Sequence, residues 1–144
     1  MARRPCERRM MRGVTFTSFD THSTERGMLG VLEIETLFGF RASRIFYILA
    51  KDEDSQRAMH AVSSAQVLMV LSGSCMLDVD NGFERLTQKL DGVVYLAPGT
   101  WRKLYDFEPN TIVVVAAEHS YVNTQYFPDA MPELLPPIVE ENSK

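Results

Sequence analysis

Short runs rich in β-branched and aromatic residues recur along this chain, at 14–19, 28–34, 44–49, 67–71, 76–79, 93–96 and 112–116. Runs of this length bounded by turn residues read as strands. Asp80-Asn81-Gly82 is a strong hairpin turn, and Ser72-Gly73-Ser74 and Ala97-Pro98-Gly99 are good ones. Ahead of the C-terminal tail no stretch shows a capped helical period, and there are no internal repeats. The pattern predicts a single all-β domain, a sandwich or a barrel, without selecting a topology. Its 144 residues, 45% of them hydrophobic, suffice for a real core. The longest apolar run, 112–117, is far too short to span a bilayer.

Charge divides the chain. Arg3, Arg4, Arg8, Arg9 and Arg12 stand against Glu7 alone in the first twelve residues, so the remainder is more acidic than the net −4 implies. An acidic body argues against nucleic acid as a partner. The expected organisation is a disordered basic tail over 1–13, one domain over 14–127 and a Pro/Glu-rich tail over 128–144. The segment after the basic tip, 14–20, is no secretory h-region. Cys6 and Cys75 form no Cys-x-x-Cys pattern. The chain is therefore expected in the cytoplasm, with no membrane partner.

One spacing narrows the fold. Cupin jelly rolls often carry His-x-His-x3-Glu-x6-Gly, then Gly-x5-Pro and a later His. Here that register falls on His60, Val62, Gln66 and Gly73, then Gly92 and Pro98, with Thr100-Trp101-Arg102-Lys103 where the later His belongs. The turn-forming residues match and the ligands do not. Val62 cannot coordinate and Gln66 is a poor neutral ligand, so no metal and no cofactor are expected. The expectation is a cupin jelly-roll barrel (a double-stranded β-helix). A period of two would put Ala58, His60, Val62, Ser64 and Gln66 on one face, a pocket wall around a single imidazole. A barrel histidine with no chemical role is the alternative. Arg44, Arg57 and Arg102 suggest an anionic ligand such as a phosphate, or else surface ion pairs with Asp52, Asp54 or Asp106. Trp101 could stack on a planar base or sugar, or anchor the core.

These residues together resemble the sugar-nucleotide 3,4-ketoisomerases. Arg26-Gly27-Met28-Leu29 and Arg44-Ile45-Phe46-Tyr47-Ile48 are similar to that family's early strands, and Arg57-x-x-His60-Ala61 to its Arg-Gly-x-His-Ala-His signature. Gln66-Val67-Leu68, Ser72-Gly73-Ser74, Asp80-Asn81-Gly82, the stretch 101–107 and the closing Tyr121 and Tyr126 continue the match over 25–127. The resemblance implies a metal-free homodimer acting on dTDP-4-keto-6-deoxyglucose. Such an enzyme moves the ketone from C4 to C3 through an enediol, in deoxysugar and polysaccharide biosynthesis such as that of lipopolysaccharide O-antigen. His60 falls at the catalytic base and Arg102 beside the sugar. Arg44, Arg57, Gln66 and Trp101 become the substrate-binding candidates. The sequence departs from the pattern at Val62 (the second signature His), Ala58 (Gly), Ser63 and Ser64 (often Lys) and Phe46 (Tyr in some members). Losing the second imidazole leaves a sugar-nucleotide-binding cupin without turnover as the alternative. The related 3,5-epimerases need a His with a carboxylate partner, and the sequence offers none.

Overall fold

The computed structural model describes residues 8–51 and 55–137, with side chains from residue 11 onward. Among these residues lie thirteen strands: β1 Arg8–Met11, β2 Val14–Thr17, β3 Asp20–Thr24, β4 Gly27–Val31, β5 Arg44–Leu49, β6 Arg57–Val62, β7 Gln66–Ser72, β8 Cys75–Asp80, β9 Arg85–Leu90, β10 Val93–Leu96, β11 Trp101–Tyr105, β12 Ile112–Ala117 and β13 Tyr126–Phe127. One short α-helix, α1, spans Ile34–Phe38 among these residues and stops at Gly39, which adopts the left-handed conformation with φ 78°. No helix among the described residues is long and apolar enough to cross a membrane.

The strands form a six-stranded sheet in the order β1-β2-β10-β7-β12-β5, a five-stranded sheet in the order β13-β6-β11-β8-β9, and the separate hairpin β3-β4. All pairings are antiparallel, and they cross over along the chain as in a cupin jelly roll. The core fills the space between the two sheets. Val14, Phe16, Leu68, Val70, Val94, Leu96, Val113 and Val115 meet Leu77, Val79, Leu90 and Leu104 there. The six-stranded sheet is apolar on its other face too. Val67, Met69, Val93 and Ala116 pack beneath Ile34 and Phe38 of α1 and beneath Phe40. That double burial explains why β7 and β12 read as unbroken apolar runs.

The turns follow their chemistry. At the β8–β9 hairpin Asp80 Oδ1 accepts the Gly82 N–H at 2.8 Å, and buried Asn81 Oδ1 accepts the N–H groups of Phe83 and Glu84. Gly82 has φ 93°, a conformation that disfavours other residues.

Both domain boundaries shift from expectation. Residues 1–7 of the basic tail and 138–144 of the Pro/Glu-rich tail lie outside the described residues, but β1 already pairs with β2 from Arg8. At the other end the segment 128–137 is docked. Leu135 is buried, the Met131 N–H donates to Gly99 O at 2.8 Å, and Arg12 Nη2 donates to Pro136 O at 2.9 Å. A Cβ at Gly82 would meet Pro132, and one at Gly99 would meet the Met131 carbonyl. Bare glycine backbone thus makes the seat for a strap whose prolines suggested a loose tail. The polar segment 20–24 pairs with β4 from Asp20↔Val31 to Thr24↔Gly27.

Candidate active site

β5, β6, β7, β11 and β13 surround a cavity of about 370 Å³ at one end of the space between the sheets. Its lining includes Arg44, Arg57, His60, Gln66, Arg102 and Tyr126 on a floor of Leu68, Leu104 and Val115. Inward alternation on β11 aims Arg102 and Leu104 at this space, and alternation on β5 does the same for Arg44, Phe46 and Ile48.

Arg102 is the centre of the arrangement. It is 2% exposed, and its guanidinium bonds only neutral acceptors. Nε and Nη2 donate to Thr100 O at 3.2 and 3.1 Å, and Nη1 donates to Gln66 Oε1 at 2.7 Å. Burial lowers its pKa to about 10, with nearby Tyr126 acting in the opposite sense, so the group stays cationic at neutral pH. Arg44 lies over the rings of Phe46 and Tyr121, at 5.0 and 5.5 Å from their centroids. Its Nε and Nη2 are buried without an acceptor among the described residues. Among those residues none of Arg44, Arg57 and Arg102 pairs with a carboxylate. A buried cation without counter-charge, as Arg102 is among the described residues, is costly, and an anion entering the cavity would relieve that cost. Of the carboxylates in the ion-pair alternative, Asp106 pairs with none of these arginines, and Asp52 and Asp54 lie outside the described residues.

His60 sits directly across the β6–β11 ladder from Arg102. Burial, and then the charge of Arg102, push its pKa down to about 4. The imidazole is therefore neutral at neutral pH, with a ring-nitrogen lone pair available. The Tyr126 ring meets it edge-on, with centroids 5.0 Å apart and planes at 83°.

Five of the six candidate residues, His60, Arg102, Arg44, Arg57 and Gln66, thus converge on one cavity. Trp101 does not. Its neighbour Arg102 points inward, so Trp101 takes the outer face of β11, where Arg85 lies 5.1 Å over its ring. Substrate stacking on Trp101 therefore finds no support in this geometry. The expected common face of 58–66 is also broken. Ala58 and Met59 adopt φ 73° and 60°, beside a register shift opposite Arg102 and Lys103. Ala58, His60 and Gln66 line the cavity, whereas Val62 is fully buried away from it. Ser64 turns aside, its Oγ accepting the His119 N–H at 3.0 Å. Tyr126 was not among the sequence candidates, because a two-residue strand shows no period. Its place in the closing tyrosine pair was the only signal. Among the described residues no group of three His, Cys, Asp or Glu side chains is placed to hold a metal ion.

Comparison with known proteins completes the site. The model of the FdtA family (WxcM-like, C-terminal) matches residues 12–132. The chain belongs to this family. The TDP-4-oxo-6-deoxy-alpha-D-glucose-3,4-oxoisomerase of Aneurinibacillus thermoaerophilus is 30% identical over 105 residues, which span 70% of this chain and 76% of that protein. A mutant of the 3,4-ketoisomerase QdtA from Thermoanaerobacterium thermosaccharolyticum, solved in complex with TDP-4-keto-6-deoxyglucose, superposes with a TM-score of 0.75 at 27% identity. That match covers 83% of this chain and 90% of QdtA. The WlaRB TDP-quinovose 3,4-ketoisomerase from Campylobacter jejuni gives a TM-score of 0.71 at 27% identity, over 78% of this chain and 89% of WlaRB. The jelly roll of this FdtA-family chain is thus one on which 3,4-ketoisomerases are built.

Proposed function

We propose that the protein is a 3,4-ketoisomerase of a dTDP-linked 4-keto-6-deoxyhexose, working in deoxysugar and polysaccharide biosynthesis, including that of lipopolysaccharide O-antigen. The observation that carries this reading is the pairing of a neutral His60 with a buried Arg102, which has no carboxylate partner among the described residues, across one ladder at the cavity wall. The names of the relatives support the substrate class.

The chemistry follows from the groups present. A C4 ketone acidifies the hydrogen on C3. His60, unprotonated, removes that proton to give the enediol, and a proton returns at C4 as the C3 hydroxyl becomes the ketone. A positioned base contributes about 10² to 10⁴ in rate. Arg102, fixed by Thr100 and Gln66, lies beside the developing oxyanion and requires no reorganisation during the reaction. The unpaired Nε and Nη2 of Arg44 and the exposed guanidinium of Arg57 would take the diphosphate toward the mouth, leaving the sugar ring against the apolar floor. No step calls on a metal or an organic cofactor.

The buried free thiol of Cys75 fits a reducing compartment, and we place the enzyme in the cytoplasm. We also infer a homodimer. β5 is an edge strand of the six-stranded sheet, and its outward residues Ile45, Tyr47 and Leu49 are 69%, 71% and 54% exposed. An apolar stripe on a sheet edge is the kind of surface a second copy covers. The functional test is direct. Incubated with TDP-4-keto-6-deoxyglucose, the protein should move the ketone signal from C4 to C3 by NMR. Tight binding with no conversion would favour the binding-protein alternative.

A further inference from the structure

His60 accounts for only one of the two proton movements that a ketone shift requires. Carrying the carbonyl from C4 to C3 moves a proton from carbon C3 to carbon C4, and a second one from the C3 oxygen to the C4 oxygen. The second movement needs a group at the sugar edge that both donates and accepts at once. Arginine only donates. Gln66 Oε1 is already taken by Arg102. Phe46, two residues from Arg44 on the inward face of β5, has no proton to give, and Val62 is buried outside the cavity. Two lining residues carry a hydroxyl, Tyr47 and Tyr126. Tyr47 lies on the outward face of β5 and is 71% exposed.

We propose that the Tyr126 hydroxyl performs the oxygen-to-oxygen proton transfer, so that His60 and Tyr126 divide the reaction between them. This inference rests on the isomerase reading above. The placement is built rather than incidental. β13 hangs on the end of β6 through Tyr126↔Val62 and Phe127↔Ala61. Ser63 clamps it from below, its N–H donating to Gln125 O at 3.0 Å and its Oγ accepting the Gln125 N–H at 2.8 Å. The ring then meets His60 edge-on at 5.0 Å, while Tyr121 flanks it at 6.1 Å and carries Arg44 on its face. The chain thereby brings one hydroxyl-bearing ring against the imidazole, paired to β6 at Val62.

The steps balance without any external reagent. His60 takes the proton from C3, and the C–H electron pair becomes the C3=C4 bond. The C4 carbonyl π pair moves to its oxygen, which takes the Tyr126 proton. The resulting phenolate removes the proton from the C3 hydroxyl, and its O–H pair closes to the new C3 carbonyl as the enediol π pair takes a proton at C4 from the His60 imidazolium, whose N–H exchanges with solvent in between. C4 is reduced, C3 is oxidised, and both side chains return to their starting states. Arg102 lines the same cavity as Tyr126, so a fixed cation shares the space in which negative charge moves between the two oxygens.

Tyr126→Phe tests this, because it keeps the ring against His60 and removes only the hydroxyl. Steady-state turnover of TDP-4-keto-6-deoxyglucose is measured for wild type, Tyr126→Phe and His60→Asn, with TDP affinity by calorimetry as a check on the folded site. The expected result is a fall in kcat of at least about 10²-fold for Tyr126→Phe, with KM and TDP affinity within about threefold of wild type. Turnover within threefold of wild type overturns the proposal, as does a loss confined to KM. A wild-type protein that does not convert the sugar refutes the isomerase reading itself and this inference with it. Active wild type beside unimpaired Tyr126→Phe refutes the inference alone.

Discussion

A half-buried imidazole facing a buried guanidinium that has no carboxylate partner among the described residues is driven to stay neutral, and that state governs how His60 should respond to pH. Its pKa of about 4 in the folded protein lies below the 6.5 of an unconstrained histidine. Between those values the unfolded chain binds more protons than the folded one, so folding stability is full above about 6.5 and falls as the pH drops toward 4. His60→Asn should flatten that acid slope in chemical-denaturation curves measured across this window. The same group sets activity. In kcat/KM, which reports the free enzyme, the acidic limb should lie well below 6.5, because burial and Arg102 hold the imidazole down. In kcat the limb should move upward, since a bound diphosphate adds negative charge to the cavity that holds His60 and so stabilises the imidazolium. A kcat/KM limb at or above 6.5 would contradict this arrangement.

At the scale of elements, the β6–β11 ladder shows both what the sequence made legible and where it fell silent. The continuous apolar strands β7 and β12, and the Asp80-Asn81-Gly82 hairpin, were readable because burial and turn chemistry each leave a local mark. β9 and β11 alternate polar and apolar residues on a half-exposed sheet, which dilutes the signal, and β13 is too short to have a period. The convergence of His60, Arg102, Arg44, Arg57 and Gln66 was legible through motif order, while the outward turn of Trp101 depended on one residue of register. The bulge at Ala58 and Met59 was hidden altogether. Ala58 holds φ 73° where the resembling signature has glycine, and left-handed backbone costs an L residue about 1–2 kcal/mol. Ala58→Gly also loosens the unfolded chain, which offsets part of that gain. The variant should be more stable by about 0.5–1 kcal/mol in urea titrations. Destabilisation would mean that the alanine methyl packs against the cavity wall to greater effect than the backbone strain it imposes.

For the whole molecule, charge placement matters more than net charge. The body of the chain is acidic, yet three arginines without carboxylate partners among the described residues face a single cavity, so an anionic ligand has one favourable destination. The strap over 128–137 and β1 close the molecule beyond the boundaries that composition suggested. The outward face of β5 leaves one apolar surface uncovered. Tyr47→Glu should therefore shift the protein from dimer to monomer in sedimentation velocity at micromolar concentration. Monomeric wild type under the same conditions would remove the homodimer from the account. The central claim, that His60 moves a proton between C3 and C4 of a 4-keto-6-deoxy sugar, is tested most directly in D₂O. NMR of TDP-4-keto-6-deoxyglucose incubated with wild type should show deuterium entering at the reacting carbons as the 3-keto product forms, and His60→Asn should show neither. Product formation and deuterium entry that persist in His60→Asn, or wild type that binds the sugar nucleotide without exchanging any carbon-bound hydrogen, would contradict it.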